Sequence, residues 1–266
     1  MALQRLVGNA GLEIGNMSTA SDRIIVPLDV SHELDALALV DALREHVGFF
    51  KVGFELIYSV GTNIIKKIEA NGGRVFLDCK LLDIPNTVAG AARAITHLGV
   101  GMFNVHTLGG IEMMKAAVDV TAREAAAAHV PKPLVLGVTI LTSLDRRTVN
   151  EELWIPGTVE DIVAHLAHLS VAAGVDGVIA SPLEITAIRR AVPGITVIVT
   201  PGVRPEWAAA QDQKRVMTPG EAVRLGASHL VIGRPITKPP ASIGGPVDAA
   251  KVIAEEIAAA VDSKEN

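Results

Sequence analysis

Short β-branched runs alternate with longer Ala/Leu-rich segments along nearly the whole chain, and no other feature narrows the possible folds as much. Strand-like runs fall at 24–29, 49–53, 74–80, 102–106, 134–140, 177–180, 196–200 and 229–232. Segments of helical composition lie at 33–47, 62–71, 87–98, 111–129, 159–173, 183–192, 219–225 and 247–262. Repeated strand–helix units imply a parallel sheet, because a parallel neighbour is reached only through a crossover. Eight such units are the number that closes a barrel, and 266 residues fit the roughly 250 that this kind of barrel uses. The expected class is α/β and the expected architecture a (β/α)8 TIM barrel. Gly48, Gly72, Gly99, Gly174 and Gly226 follow helical segments and are expected to cap them in left-handed turns. An open doubly wound sheet would share the alternation but ask for a Gly-rich turn after its first strand. This chain has Leu28-Asp29-Val30-Ser31-His32 there, with Ser31 the expected cap of the next helix.

No Pro/Ser-rich linker interrupts the series, so residues 22–266 read as a single catalytic barrel and 1–21 as a flexible extension outside it. Hydrophobic residues make up 49% of the chain and aromatics only 3%, which demands an aliphatic core. A formal charge of −5 leaves no basic footprint for nucleic acid, and no Lys/Arg run suggests a membrane surface. No apolar run approaches the length of a membrane span. The single cysteine, Cys79, excludes an internal disulfide framework and a Cys-rich zinc site, and it agrees with a cytoplasmic location.

The stretch Asp78-Cys79-Lys80-Leu81-Leu82-Asp83-Ile84-Pro85-Asn86-Thr87 ends the apolar Val75-Phe76-Leu77 with charges instead of a turn. Side chains alternate across a strand, so Asp78 and Lys80 leave one face while Cys79 points into the barrel–helix layer, where a structural role is expected. On a barrel, the C-terminal strand ends carry the chemistry. Asp29 closes the first strand, Lys51 sits in the second, Asp78 and Lys80 end the third, Thr142 and Ser143 follow the fifth, and Arg204 follows the seventh. After the eighth comes Gly233-Arg234, where glycine lets a phosphate approach the backbone and arginine adds a planar fork of donors. The loop between Thr200 and Thr218, with Pro201, Gly202, Pro205 and the polar Gln211-Asp212-Gln213, reads as a lid. His165 and His168, spaced i, i+3, read as a solvated or packed pair, and His106 as a packing and hydrogen-bonding residue.

From about Ile24 to the last helix, these motifs resemble the bacterial single-function orotidine 5′-phosphate decarboxylases. The likeness rests on Lys51-Val52-Gly53-Phe54-Glu55-Leu56, the Asp78–Thr87 stretch, Asn104-Val105-His106, Val138-Thr139-Ile140-Leu141-Thr142-Ser143, Thr200-Pro201-Gly202-Val203-Arg204, Asp212-Gln213-Lys214-Arg215-Val216 and Val231-Ile232-Gly233-Arg234-Pro235-Ile236-Thr237, in the family's order. The resemblance implies conversion of orotidine 5′-phosphate to UMP and carbon dioxide, with no metal and no cofactor. It assigns Lys80 the proton delivered to C6 and sets Asp78 against the substrate carboxylate. Lys51 and Asp83 complete an alternating charged array. It implies a homodimer in which Asp83 and Thr87 reach the partner's site. Asp29 and Lys51 are expected on the ribose hydroxyls, Thr142 and Ser143 on the pyrimidine edge, Gln213, Gly233 and Arg234 on the phosphate, with Arg204 closing over it.

Two other readings compete. Related sugar-phosphate decarboxylases and aldolases share the third-strand pattern and the phosphate turn but place a metal-binding Glu on the second strand, where this chain has Lys51. A fixed cation repels a metal and substitutes for its charge. A non-catalytic phosphate-binding barrel is compatible with the fold but has no use for four alternating charges.

Overall fold

The computed structural model describes residues 19–208 and 217–265. Eight strands, β1 (Ile24–Pro27), β2 (Phe49–Val52), β3 (Val75–Leu81), β4 (Met102–His106), β5 (Leu134–Val138), β6 (Gly177–Ile179), β7 (Val197–Pro201) and β8 (His229–Val231), close a barrel in sequence order. Every pairing is parallel, including β8 back onto β1. The helices are α1 (Glu33–Leu43), α2 (Phe54–Val60), α3 (Asn63–Ala70), α4 (Pro85–Thr96), α5 (Gly110–Ala128), α6 (Val159–Ala172), α7 (Ile185–Ala191), α8 (Pro219–Leu225), α9 (Arg234–Thr237) and α10 (Pro246–Glu265).

Strand alternation sorts the core into two layers. Ile25, Phe49, Phe76, Met102, Leu136 and Val199 fill the barrel interior. Their neighbours Val26, Phe50, Leu77 and Phe103 face outward and pack against helix residues such as Val40, Ile64, Val88, Met114 and Ile253. With so few aromatics, Phe49, Phe50, Phe76 and Phe103 are all spent in the packed layers, where full burial stabilises by about 1.5–3 kcal/mol per side chain. Continuing the inward parity of β2, β3 and β4 towards their C-terminal ends gives Lys51, Asp78 and Asn104. The interior thus changes from apolar to charged at one end.

The structure departs from the sequence reading at several element ends. Strands β1 and β5 stop two residues short of 24–29 and 134–140, because Leu28-Asp29 and Thr139-Ile140 already turn into loops. Helices α2 and α9 escape the periodicity argument, since seven and four residues are too few to display a period. Gly72, Gly99, Gly174 and Gly226 do adopt positive φ, but Gly48 does not. A Cβ at Gly48 would lie 2.1 Å from the Asp22 carbonyl oxygen, so close backbone approach, not a left-handed turn, requires glycine there. Ser31 does not cap α1 either: the cap position is His32, and the Ser31 hydroxyl donates to Glu55 Oε1 at 2.7 Å.

Candidate active site

The site is built on the C-terminal ends of neighbouring strands. Lys51 on β2 reaches Asp29 Oδ1 at 3.4 Å and Asp78 Oδ2 at 3.3 Å, and Lys80 Nζ sits 2.6 Å from Asp78 Oδ1. Asp29, Lys51, Asp78 and Lys80 therefore form one continuous chain of alternating charge. Asp78 is its hub, with a side chain only 12% exposed. Burial pushes the Asp78 carboxyl up, but Lys51, Lys80 and Asn104 together outweigh that and hold it below the ordinary carboxylate range. It stays ionised at neutral pH.

Regular alternation carries Asp78 and Lys80 to the same pocket only in outline, because β3 is irregular there. Leu77 pairs with Phe103 and Leu81 with Val105, so four steps on β3 match two on β4. Within that bulge Lys80 takes a left-handed backbone with φ of 42°. Such a conformation costs a side-chain-bearing residue about 1–3 kcal/mol and persists where surroundings impose it. Here Asn104 Oδ1 accepts the Lys80 N–H at 2.6 Å, while Asn104 Nδ2 donates to Asp78 Oδ1 at 2.7 Å. The Lys80 ammonium also lies 5.6 Å from the centre of the Phe54 ring on α2.

A cavity of about 250 Å³ opens beside the array. Lys51, Asp78 and Lys80 line it together with Thr142 and Ser143, over a floor that includes Phe76, Val138 and Ile179. Arg204 follows β7 and its N–H donates to Met217 O at 3.1 Å, tying the two ends of the intervening loop. Gly233 and Arg234 open α9 directly after β8, on the same rim. A Cβ at Gly233 would press on Pro27 at 3.1 Å, so the absent side chain matters for packing as well as for access. Gln213 lies outside the described residues, as does the middle of the expected lid and most of the 1–21 extension.

Two expected residues stand apart. Asp83 is exposed, accepts the Ile84 N–H at 2.6 Å and makes no ion pair with Lys80 of its own chain, and Thr87 is exposed on the first turn of α4. Cys79 turns outward into the barrel–helix layer, its thiol pushed up to about 11 chiefly by burial. Its Sγ contacts the Asn104 carbonyl at 3.4 Å. His106 Nδ1 accepts the Leu108 N–H, and burial together with Lys80 lowers its pKa. Among the described residues no cluster of three or more His, Cys, Asp or Glu side chains is arranged to hold a metal, and no helix is long and apolar enough to cross a membrane.

Sequence reasoning gave Asn104 no role. The signal was available: an amide at an inward position of an otherwise apolar strand must find partners, and here it finds two groups of the charged array. Phe54 opens α2, which at seven residues is too short for its periodicity to mark it.

A (β/α)8 barrel with a lysine–aspartate array at its catalytic end and an arginine after β8 defines a class of enzymes acting on small phosphorylated molecules. Residues 22–251 match the model of the Orotidine 5′-phosphate decarboxylase / HUMPS family, and the chain belongs to that family. Among similar proteins, the orotidine 5′-phosphate decarboxylase of Moorella thermoacetica is 52% identical over 238 residues, covering 90% of this chain and 93% of the relative. That of Syntrophomonas wolfei is 49% identical, covering 89% and 98%. The crystal structure of orotidine 5′-phosphate decarboxylase from Lactobacillus acidophilus superposes with a TM-score of 0.75 at 36% identity, covering 88% of this chain and 98% of that one.

Proposed function

We infer that this chain is an orotidine 5′-phosphate decarboxylase, a cytoplasmic carboxy-lyase of pyrimidine biosynthesis that releases carbon dioxide and UMP. The observation that carries the reading is the Asp29–Lys51–Asp78–Lys80 chain of charges beside a cavity lined by Thr142 and Ser143. Breaking the bond from C6 to the carboxylate leaves an electron pair in the plane of the ring, where no neighbouring π system can take it up. Stabilisation must come from fixed charge nearby, and preorganised charge aimed at developing charge is usually the largest catalytic term. Lys80 supplies that charge and then its proton, which bonds to C6 as carbon dioxide departs. Asp78 faces the departing carboxylate and holds the ammonium in place. Crowding of the two carboxylates is a secondary contribution.

Asp29 and Lys51 bind the ribose hydroxyls, Thr142 and Ser143 the pyrimidine edge, and Gln213, Gly233 and Arg234 the phosphate, with Arg204 closing over it. Contacts far from C6 contribute to closure and thus to turnover as well as to affinity. Asp83 and Thr87 serve the partner's site in a homodimer. This is supported by their exposure and by the flanking Leu82 and Ile84, 54% and 66% exposed. The chemistry needs neither metal nor cofactor. Lys51, bridging Asp29 and Asp78, occupies the place where a metal-dependent relative would offer a carboxylate.

The test is direct: mix the protein with orotidine 5′-phosphate in chelator and follow the loss of pyrimidine absorbance. Turnover is expected without added Mg²⁺. Lys80→Ala is expected to lower kcat by at least roughly 10³-fold while UMP affinity stays measurable. Near-normal turnover by Lys80→Ala would exclude it as the acid, and activity that requires Mg²⁺ would favour the metal-dependent branch.

A further inference from the structure

We propose that Asn104 is a positioning residue of this site: its carboxamide holds the Lys80 backbone and the Asp78 carboxylate in one fixed relation, so that ammonium and carboxylate address the reacting carbon together. The proposal rests on the decarboxylase reading above. Asn104 is fully buried at an inward position of β4, between Met102 and His106. Both ends of its amide are committed within the charged array. Oδ1 accepts the Lys80 N–H at 2.6 Å and Nδ2 donates to Asp78 Oδ1 at 2.7 Å. A backbone N–H only donates and a carboxylate only accepts, so the amide has one orientation, and flipping it would lose both bonds.

The geometry of β3 explains why a side chain must do this. In a regular parallel ladder the Lys80 N–H would find a backbone carbonyl on a neighbouring strand. The bulge between Leu77 and Leu81 removes that register, and the side-chain Oδ1 of Asn104 supplies the acceptor instead. The same bond restrains Lys80 at φ of 42°, a backbone state that a lysine would otherwise leave. At the other end, Asp78 Oδ1 accepts from both Lys80 Nζ and Asn104 Nδ2, leaving Oδ2 to face Lys51. One amide therefore sets the direction from which Lys80 leaves the strand and the rotation of the carboxylate it pairs with.

A residue that merely ties β3 to β4 would affect stability and every ligand alike. A positioning residue acts on turnover, because displacing reacting groups by about 1 Å can cost on the order of a hundredfold in rate. The experiment compares wild type with Asn104→Leu, which keeps similar volume and makes neither bond, and Asn104→Asp, which keeps the acceptor for Lys80 but sets a second carboxylate against Asp78. For each, kcat and KM for orotidine 5′-phosphate, Kd for UMP and the thermal unfolding midpoint are measured. UMP lacks the carboxylate, so its Kd is expected within about threefold of wild type, while kcat falls about a hundredfold or more in both variants. If Asn104→Leu does not fold, the near-isosteric Asn104→Asp decides. A folded variant with kcat within about threefold of wild type, or a loss of UMP affinity in step with kcat, would overturn the proposal. Wild type without turnover would instead overturn the decarboxylase reading, and this assignment with it.

Discussion

His229, on the first position of β8, is 3% exposed and its Nδ1 has no hydrogen-bond partner. Burial first, then Arg23 and Arg74, lowers its pKa from 6.5 to about 4, with Asp22 opposing weakly. The sign follows from proton counting. Between pH 6.5 and about 4 the unfolded chain takes a proton that the folded one refuses, so stability is complete above 6.5 and declines as pH falls towards 4. The loss integrates to about 3 kcal/mol. Urea unfolding at about pH 7 and about pH 4.5 is expected to reveal a drop some 2 kcal/mol larger in wild type than in His229→Phe, and equal drops would refute it. Asp78, also largely withdrawn from solvent, has the opposite environment. Its partners Lys51, Lys80 and Asn104 outweigh desolvation and keep it charged. Two titratable groups withdrawn from solvent thus take opposite states, His229 at the N-terminal end of the barrel and Asp78 at the catalytic end, and the difference lies in their neighbours.

Strand β3 and helix α8 illustrate how elements serve the site. β3 abandons regular pairing where the chemistry begins, and the backbone strain it accepts at Lys80 is offset by the hydrogen bonds of Asn104. Helix α8 resumes the fold after the loop that follows Arg204. Its first turn is fixed by a reciprocal cap, in which Thr218 Oγ1 accepts the Glu221 N–H and Glu221 Oε2 accepts the Thr218 N–H. Thr218→Ala is expected to cost about 1 kcal/mol, lowering Tm by about 2–4 °C in a chain of this size. A Tm unchanged by the substitution would mean that packing against α10 alone fixes the start of α8. The Gly48 correction belongs with these elements too. The chain passes so close to Asp22 before β2 that a methyl group has no room, a constraint from across the structure that no local pattern reveals.

For the molecule as a whole, the decisive question is whether the array is completed within one chain. Asp83 makes no ion pair with Lys80 of its own subunit, although it lies only three residues along. If a partner supplies it, Lys80→Ala and Asp83→Ala proteins are each expected to be near background alone. Co-refolded in equal amounts, they should recover about a quarter of wild-type activity, because half the dimers are mixed and each has one intact site. A mixture no more active than the sum of its parts would place Asp83 outside the shared site. The assay also reports assembly, since a monomer cannot complement.

The eight alternating units, the parallel barrel and the strand ends carrying Asp29, Lys51, Asp78 and Lys80 were legible in order along the chain, because periodicity and apolar runs are local properties that every window displays. The same strand-end reading picked out Thr142, Ser143, Arg204, Gly233 and Arg234 in the chain, and the family resemblance added the roles expected of them. What the residue order could not express were relations between distant segments: the two-residue bulge of β3, the left-handed Lys80 and the Asn104 amide that joins them across strands. Those depend on which carbonyls a neighbouring strand leaves available once the barrel has closed. A hydrogen bond 24 residues apart in sequence is fixed only by closure, since its energy exists only when both partners are buried together.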